Sequence, residues 1–138
     1  MRILITTIDL PENLEMIRGG VHAALRNLLH GFEDTDVQVR VLSFHQRNQP
    51  TKTVSFNKQV ELVYVREGIF PFHLLNFLFS GSRILRSHIR SFKPDIVHFQ
   101  EGNAFLFTRM FGLLGRPLVL TIHGMAHDEA RRKKRWKD

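Results

Sequence analysis

An α/β fold with a parallel sheet covered by helices on both faces is what this sequence predicts, on three observations. Short apolar runs rich in Val and Ile alternate with longer segments whose apolar residues recur at helical spacing. Glycines and polar residues gather just after those runs, where a parallel sheet presents its carboxyl ends. With 43% hydrophobic and 24% charged residues over 138 positions, the chain has the balance of one globular domain able to bury a core.

Arg-Ile-Leu-Ile-Thr at 2–6 is a buried strand, ended by a loop with Pro11 and the polar stretch Glu12 to Arg18. Gly19-Gly20 opens a helix on which Val21, Ala24, Leu25, Leu28, Leu29 and Phe32 draw one apolar stripe, and which ends near Glu33-Asp34. Val37 to Phe44 alternates at period two and then turns apolar, giving the second strand. His45 to Gln59 is polar, and Val60 to Val65 is the third strand. Phe72 to Phe92 has helical spacing, with Gly81 as a kink or break, until Lys93-Pro94 stops it. Asp95 to Phe99 is the fourth strand. Asn103 to Leu114 reads as a packed helix closed by Gly115, and Leu118 to Ile122 as the fifth strand. Ala126 to Lys137 is a polar helix with acids at its start and cations toward its end, the order its dipole favours. Strands alternating with helices in this way predict right-handed crossovers and a Rossmann-like sheet.

The formal charge is +7, from 20 Lys+Arg against 13 Asp+Glu, but much of it is local. Arg131, Arg132, Lys133, Lys134, Arg135 and Lys137 supply six cations in the last eight residues. No cysteine is present, which excludes disulfides, thiolate metal sites and cysteine nucleophiles, and fits a cytoplasmic location. No apolar run approaches the ~18–20 residues of a membrane-spanning helix.

Gly19-Gly20 stands where backbone N–H groups and the positive end of a helix dipole would meet a phosphate. A dinucleotide site is disfavoured: there is no G-x-G-x-x-G, and the second strand ends Leu42-Ser43-Phe44 without an acid for a ribose hydroxyl. A P-loop is absent, the eight histidines form no metal-ligand pattern, and Ser43 and Thr121 have no nucleophile elbow or triad context. His98 in the fourth strand and His123 after the fifth are placed to bind a sugar hydroxyl or share a proton network. Alternation points His98 into a layer of the sheet, the place of a hydrogen-bonded packing residue, so His123 beside Gly124 is the better functional candidate.

Four segments in fixed order resemble one family: Met1-Arg-Ile-Leu-Ile-Thr; Gly19-Gly20-Val21-x-x-Ala24-x-x-Asn27-Leu28 with Val39-x-Val41-Leu42; Lys93-Pro94-Asp95-Ile96-Val97-His98; and Pro117-x-Val119-x-Thr121-x-His123-Gly124. The chain is similar over its whole length to the N-terminal, acceptor-side domain of a GT-B-fold, group 1 (GT4-type) retaining glycosyltransferase. That resemblance implies that Gly19 and Gly20 approach the diphosphate of a nucleotide-sugar donor and that His123, the catalytic candidate, lies beside the transferred sugar. It implies an acceptor surface at His98, Gln100, Glu101 and Gly124, with Gln100 standing where the family's V-H-x-H segment has its second histidine.

The resemblance further implies a metal-independent reaction without cofactor, and a C-terminal domain holding the Arg/Lys pair and E-x₇-E segment that grip the departing diphosphate. None of these is in the sequence, so residues 1–138 are expected to be a truncated half, inactive alone and completed in cis or in trans. Two alternatives remain beside it: a non-catalytic binding or assembly subunit of a split transferase, and a stand-alone Rossmann-like nucleotide-binding enzyme. The acceptor is expected to be a glycan or a lipid-linked sugar, with no nucleic acid partner; the basic tail and the apolar stretch Ile69 to Phe79 read first as a solvated helix face and a core helix, with peripheral contact to an anionic membrane as the other reading.

Overall fold

The first strand supplies apolar side chains to both of its faces, and the architecture follows from covering them. The computed structural model describes residues 1–8, 10–14, 19–45, 50–66, 80–100 and 116–123. Their elements are β1 (Arg2–Ile8), α1 (Gly20–His30), β2 (Gln38–His45), β3 (Lys52–Ser55), β4 (Val60–Arg66), α2 (Ser82–Phe92), β5 (Ile96–Phe99) and β6 (Leu118–Leu120). They form a six-stranded sheet in the order β3-β4-β2-β1-β5-β6. Every pairing is parallel except β3 with β4.

Period-two alternation divides the core into two layers. Ile3, Ile5, Val39, Val41 and Leu62 join Leu25 and Leu29 of α1 on one face. Leu4, Leu42, Val63, Val97 and Phe99 join Leu85 of α2 on the other. Of the predicted apolar stripe on α1, Leu25 and Leu29 are buried, Leu28 and Phe32 pack partly against the core, and Ala24 is exposed.

The parallel, helix-covered sheet is as the sequence predicts, with local corrections. The polar stretch 45–59 contains a strand not expected from the sequence, because β3 has a partly exposed Lys52 followed by three exposed residues and no apolar alternation to mark it. The first helix stops at His30 rather than near Asp34, since Phe32 N–H and Glu33 N–H turn back to the carbonyls three residues earlier and Asp34 takes a left-handed φ of 63°. The strand predicted to Ile122 ends at Leu120. Gly81 sits in helical conformation at the N-cap of α2. The rest of the predicted 72–92 helix, the helices predicted over 103–114 and 126–137, and the apolar stretch Ile69 to Phe79 lie outside the described residues.

Lys93 ends α2 in the left-handed region, φ 50°, with its N–H on the Ile89 carbonyl. The adjoining carbonyl of Phe92 accepts a hydrogen bond from the Arg2 guanidinium at 3.1 Å, a cation where the helix dipole is negative. Arg2 N–H donates to the Asp95 carboxylate at 2.7 Å, and Asp95 N–H to the Arg2 carbonyl at 2.8 Å. These bonds fix where β5 starts beside β1, and hence which residues end level with each other at the carboxyl edge.

Candidate functional site

β1 lies between β2 and β5, and the chain leaves it in one direction through α1 and returns to its other side through α2. The carboxyl ends of β1 and β5 therefore bound a topological switch point, where open parallel sheets hold ligands. Residues from four strand ends and one helix start collect around it.

On the β1 side, Thr7 is 2% exposed and its Oγ1 has no hydrogen-bond partner among the described residues. Thr7 is paired in register with Ser43 of β2. Ser43 Oγ accepts a bond from Leu10 N–H at 3.0 Å, and Tyr64 O–H donates to the Pro11 carbonyl at 3.1 Å, so the loop leaving β1 is tied back over the sheet. His22 Nε2 lies 3.3 Å from the Ile8 carbonyl, to which it donates, linking α1 to the end of β1.

Gly19 is the N-cap of α1, with φ 105° and ψ 157°, a conformation open to glycine and strained for other residues. Among the described residues no side chain caps this helix start, which leaves its first-turn N–H groups their partial positive charge. A Cβ on Gly19 or Gly20 would meet nothing within 4 Å among the described residues. Space and donors thus coincide, an arrangement suited to an anion. At Gly19 the backbone demands glycine; at Gly20 crowding gives no reason for one.

On the β5 side, four side chains form a continuous chain of hydrogen bonds. His98 Nε2 lies 2.8 Å from Thr121 Oγ1 and 3.2 Å from Gln100 Nε2, and Gln100 Oε1 lies 2.6 Å from His123 Nε2. Val97 and Phe99 face the α2 layer, which turns His98 to the α1 side. There it is half-buried and bonded as a packing residue at a strand end would be, while His123 is exposed. Gln100 is 2% exposed, and its own N–H reaches across to the Thr6 carbonyl at 3.1 Å. Burial, with a smaller contribution from the neighbouring His123, holds the His98 imidazole below its ordinary pKa, so the ring is neutral near pH 7.

Of the residues singled out in the sequence, the structure brings His98, Gln100 and His123 into one bonded group and places Gly19 and Gly20 at the head of α1. Glu101 and Gly124 lie outside the described residues. Thr7 is an addition, and Thr121, dismissed from the sequence as a nucleophile and quoted only within the segment that ends at His123-Gly124, gains a place in the site as the hydrogen-bond partner of His98. Nothing in the sequence distinguishes Thr7 from any other strand threonine. Among the described residues, no three His, Cys, Asp or Glu side chains are grouped as a metal site.

Comparison with known proteins finds a family match and matches among solved structures. A family model described as Glycosyltransferase Family 4 matches residues 18–138. No individual curated protein matches the sequence. Among solved structures, a sucrose-phosphate synthase from Thermosynechococcus elongatus superposes with a TM-score of 0.72 at 9% sequence identity, over 94% of this chain and 35% of that one. The likeness to that enzyme is one of fold, and this chain spans about a third of its length.

Proposed function

The chain belongs to glycosyltransferase family 4, and we propose on that premise that it is the acceptor-side half of a GT-B transferase. In this reading a sugar passes from a nucleotide-sugar to a hydroxyl of a glycan or lipid-linked acceptor, with retention at the anomeric carbon. The observation that carries it is the pairing, at one switch point, of an uncapped glycine-headed helix start with an exposed histidine held by a buried polar chain.

Each part has a role that its chemistry supports. Gly19 and Gly20 leave the first turn of α1 open to the donor diphosphate, whose charge the helix start would partly neutralise. His123 stands beside the transferred sugar as the catalytic group, hydrogen-bonding a hydroxyl or easing the charge that develops there. His98 and Gln100, with Glu101 and Gly124, belong to the acceptor side. Stabilising the charge on the leaving group usually contributes most to the rate of such a transfer, and one helix start supplies too little of it. The reaction therefore needs a donor-binding domain, in cis or in trans, which provides that stabilisation without metal or cofactor. The setting is cytoplasmic, with peripheral contact to an anionic membrane when the acceptor is a lipid.

Calorimetric titration of the chain with UDP and UDP-sugars tests this reading. Heats no greater than those of dilution up to millimolar ligand are expected, because half of the cleft gives half of the contacts. Micromolar binding by the chain alone would overturn it in favour of a stand-alone nucleotide-binding enzyme.

A further inference from the structure

The buried Gln100 has a side chain with one donor end and one acceptor end, and each end meets a histidine. Its carboxamide oxygen, 2.6 Å from His123 Nε2, can only accept, so His123 must carry its proton on Nε2. Its amide nitrogen, 3.2 Å from His98 Nε2, can only donate, so that nitrogen of His98 must be bare and the ring's proton must sit on Nδ1. Thr121 O–H, 2.8 Å away, then donates to the same bare nitrogen. The short contact to oxygen and the longer one to nitrogen suit the amide placed this way round. A doubly protonated His98 would set an N–H against the Gln100 amide, donor to donor, so the geometry keeps that ring neutral.

We propose that Gln100 is a positioning residue that fixes the tautomers of both histidines, committing His123 Nε2–H inward and leaving the His123 Nδ1 lone pair as the atom offered to a ligand hydroxyl. Only the use made of that lone pair rests on the transferase reading. The tautomer assignment stands on the two contacts of the Gln100 amide, which the Thr121 hydroxyl, able to donate or accept, accommodates, and it concerns this chain alone. Within the acceptor side it gives Gln100 an indirect part: each end of its amide is engaged by a histidine of the protein, and it acts through His123.

Long-range proton–nitrogen correlation spectra of the nitrogen-15-labelled chain read imidazole tautomers directly. In the unmodified protein His123 is expected as Nε2–H and His98 as Nδ1–H, each favoured roughly tenfold, the ratio that one net hydrogen bond of about 1.4 kcal/mol supports. In Gln100→Leu the His123 preference should relax toward that of a free imidazole. In Gln100→Glu, which has no donor at that end, the His98 proton should move to Nε2 to meet the carboxylate. A merely structural glutamine would lower stability in both variants without moving either tautomer. The proposal is overturned if the unmodified protein shows the opposite or mixed tautomers, or if well-dispersed spectra of Gln100→Glu keep His98 as Nδ1–H. Where a variant fails to fold, the unmodified protein decides alone. No sugar or nucleotide enters the measurement, so its outcome is independent of whether the transferase reading holds.

Discussion

Gly19 and Gly20 are adjacent and chemically identical, yet the structure gives them different reasons to be there. Gly19 has a φ of 105°, which a side chain resists, whereas no positive φ is found at Gly20. Gly19→Ala should therefore cost about 1–2 kcal/mol from backbone strain alone. Gly20→Ala, at the first helical position, should be neutral or stabilising by up to about 1 kcal/mol. Urea denaturation of the two variants checks the contrast, and equal losses would show that the glycines serve one common purpose. Tyr64 offers a second test, because it is the single tyrosine of the chain. Burial, with Glu12 nearby, pushes its hydroxyl up to about 12. An unfolded chain ionises this group near 10, so the stability it contributes is present below about pH 10 and is lost as pH rises toward 12. Absorbance of the phenolate in the folded protein should stay low until near pH 12, and a transition near 10 would show that the hydroxyl is not shielded from water as the structure has it.

At the scale of elements, most of the sheet is legible in the sequence because its strands are buried on both faces and read as apolar runs. Leu4 and Ile5, both fully buried, face opposite layers from adjacent positions. β3 escapes because an edge strand facing solvent needs no apolar signature. The site is half legible for a related reason. His98, Gln100 and His123 can be found by their places after strand-like runs, but the bonds among them depend on β5 and β6 lying in register, His98 against Val119. That pairing joins segments some twenty residues apart and leaves no local mark. The end of α2 is open to a direct test. Lys93 bears the left-handed penalty that glycine escapes, so Lys93→Gly should raise stability by up to about 1 kcal/mol, read as a shift in the urea midpoint at unchanged slope. A loss would mean that the lysine side chain contributes more than its backbone costs.

Across the whole molecule, two histidines in different layers tie folding to pH. Burial, then the Arg40 guanidinium, lowers the pKa of His88, while Glu61 opposes them; burial, then His123, lowers that of His98. Among the described residues His88 Nδ1 has no hydrogen-bond partner, and Arg40 is paired with Glu61 and stacked 4.6 Å over Phe92, so the ring meets a cation already in place. Unfolded histidines take up a proton near pH 6.5, whereas these two resist until a lower pH. Their contribution to stability is therefore complete above about 6.5 and erodes as pH falls from there through the folded values. Urea midpoints should fall between pH 7.5 and 5, and His88→Gln should flatten that decline. An equal decline in the variant would assign it to other groups.

The two margins of the described sheet are unlike. At one, β3 runs against its neighbour and turns Thr53, Val54 and Ser55 to water; at the other, β6 runs with its neighbour and leaves Leu118, Val119 and Leu120 uncovered. The two flanks therefore meet water differently: lysine and hydroxyls surround the single valine at the β3 border, whereas the β6 border is aliphatic throughout its three residues.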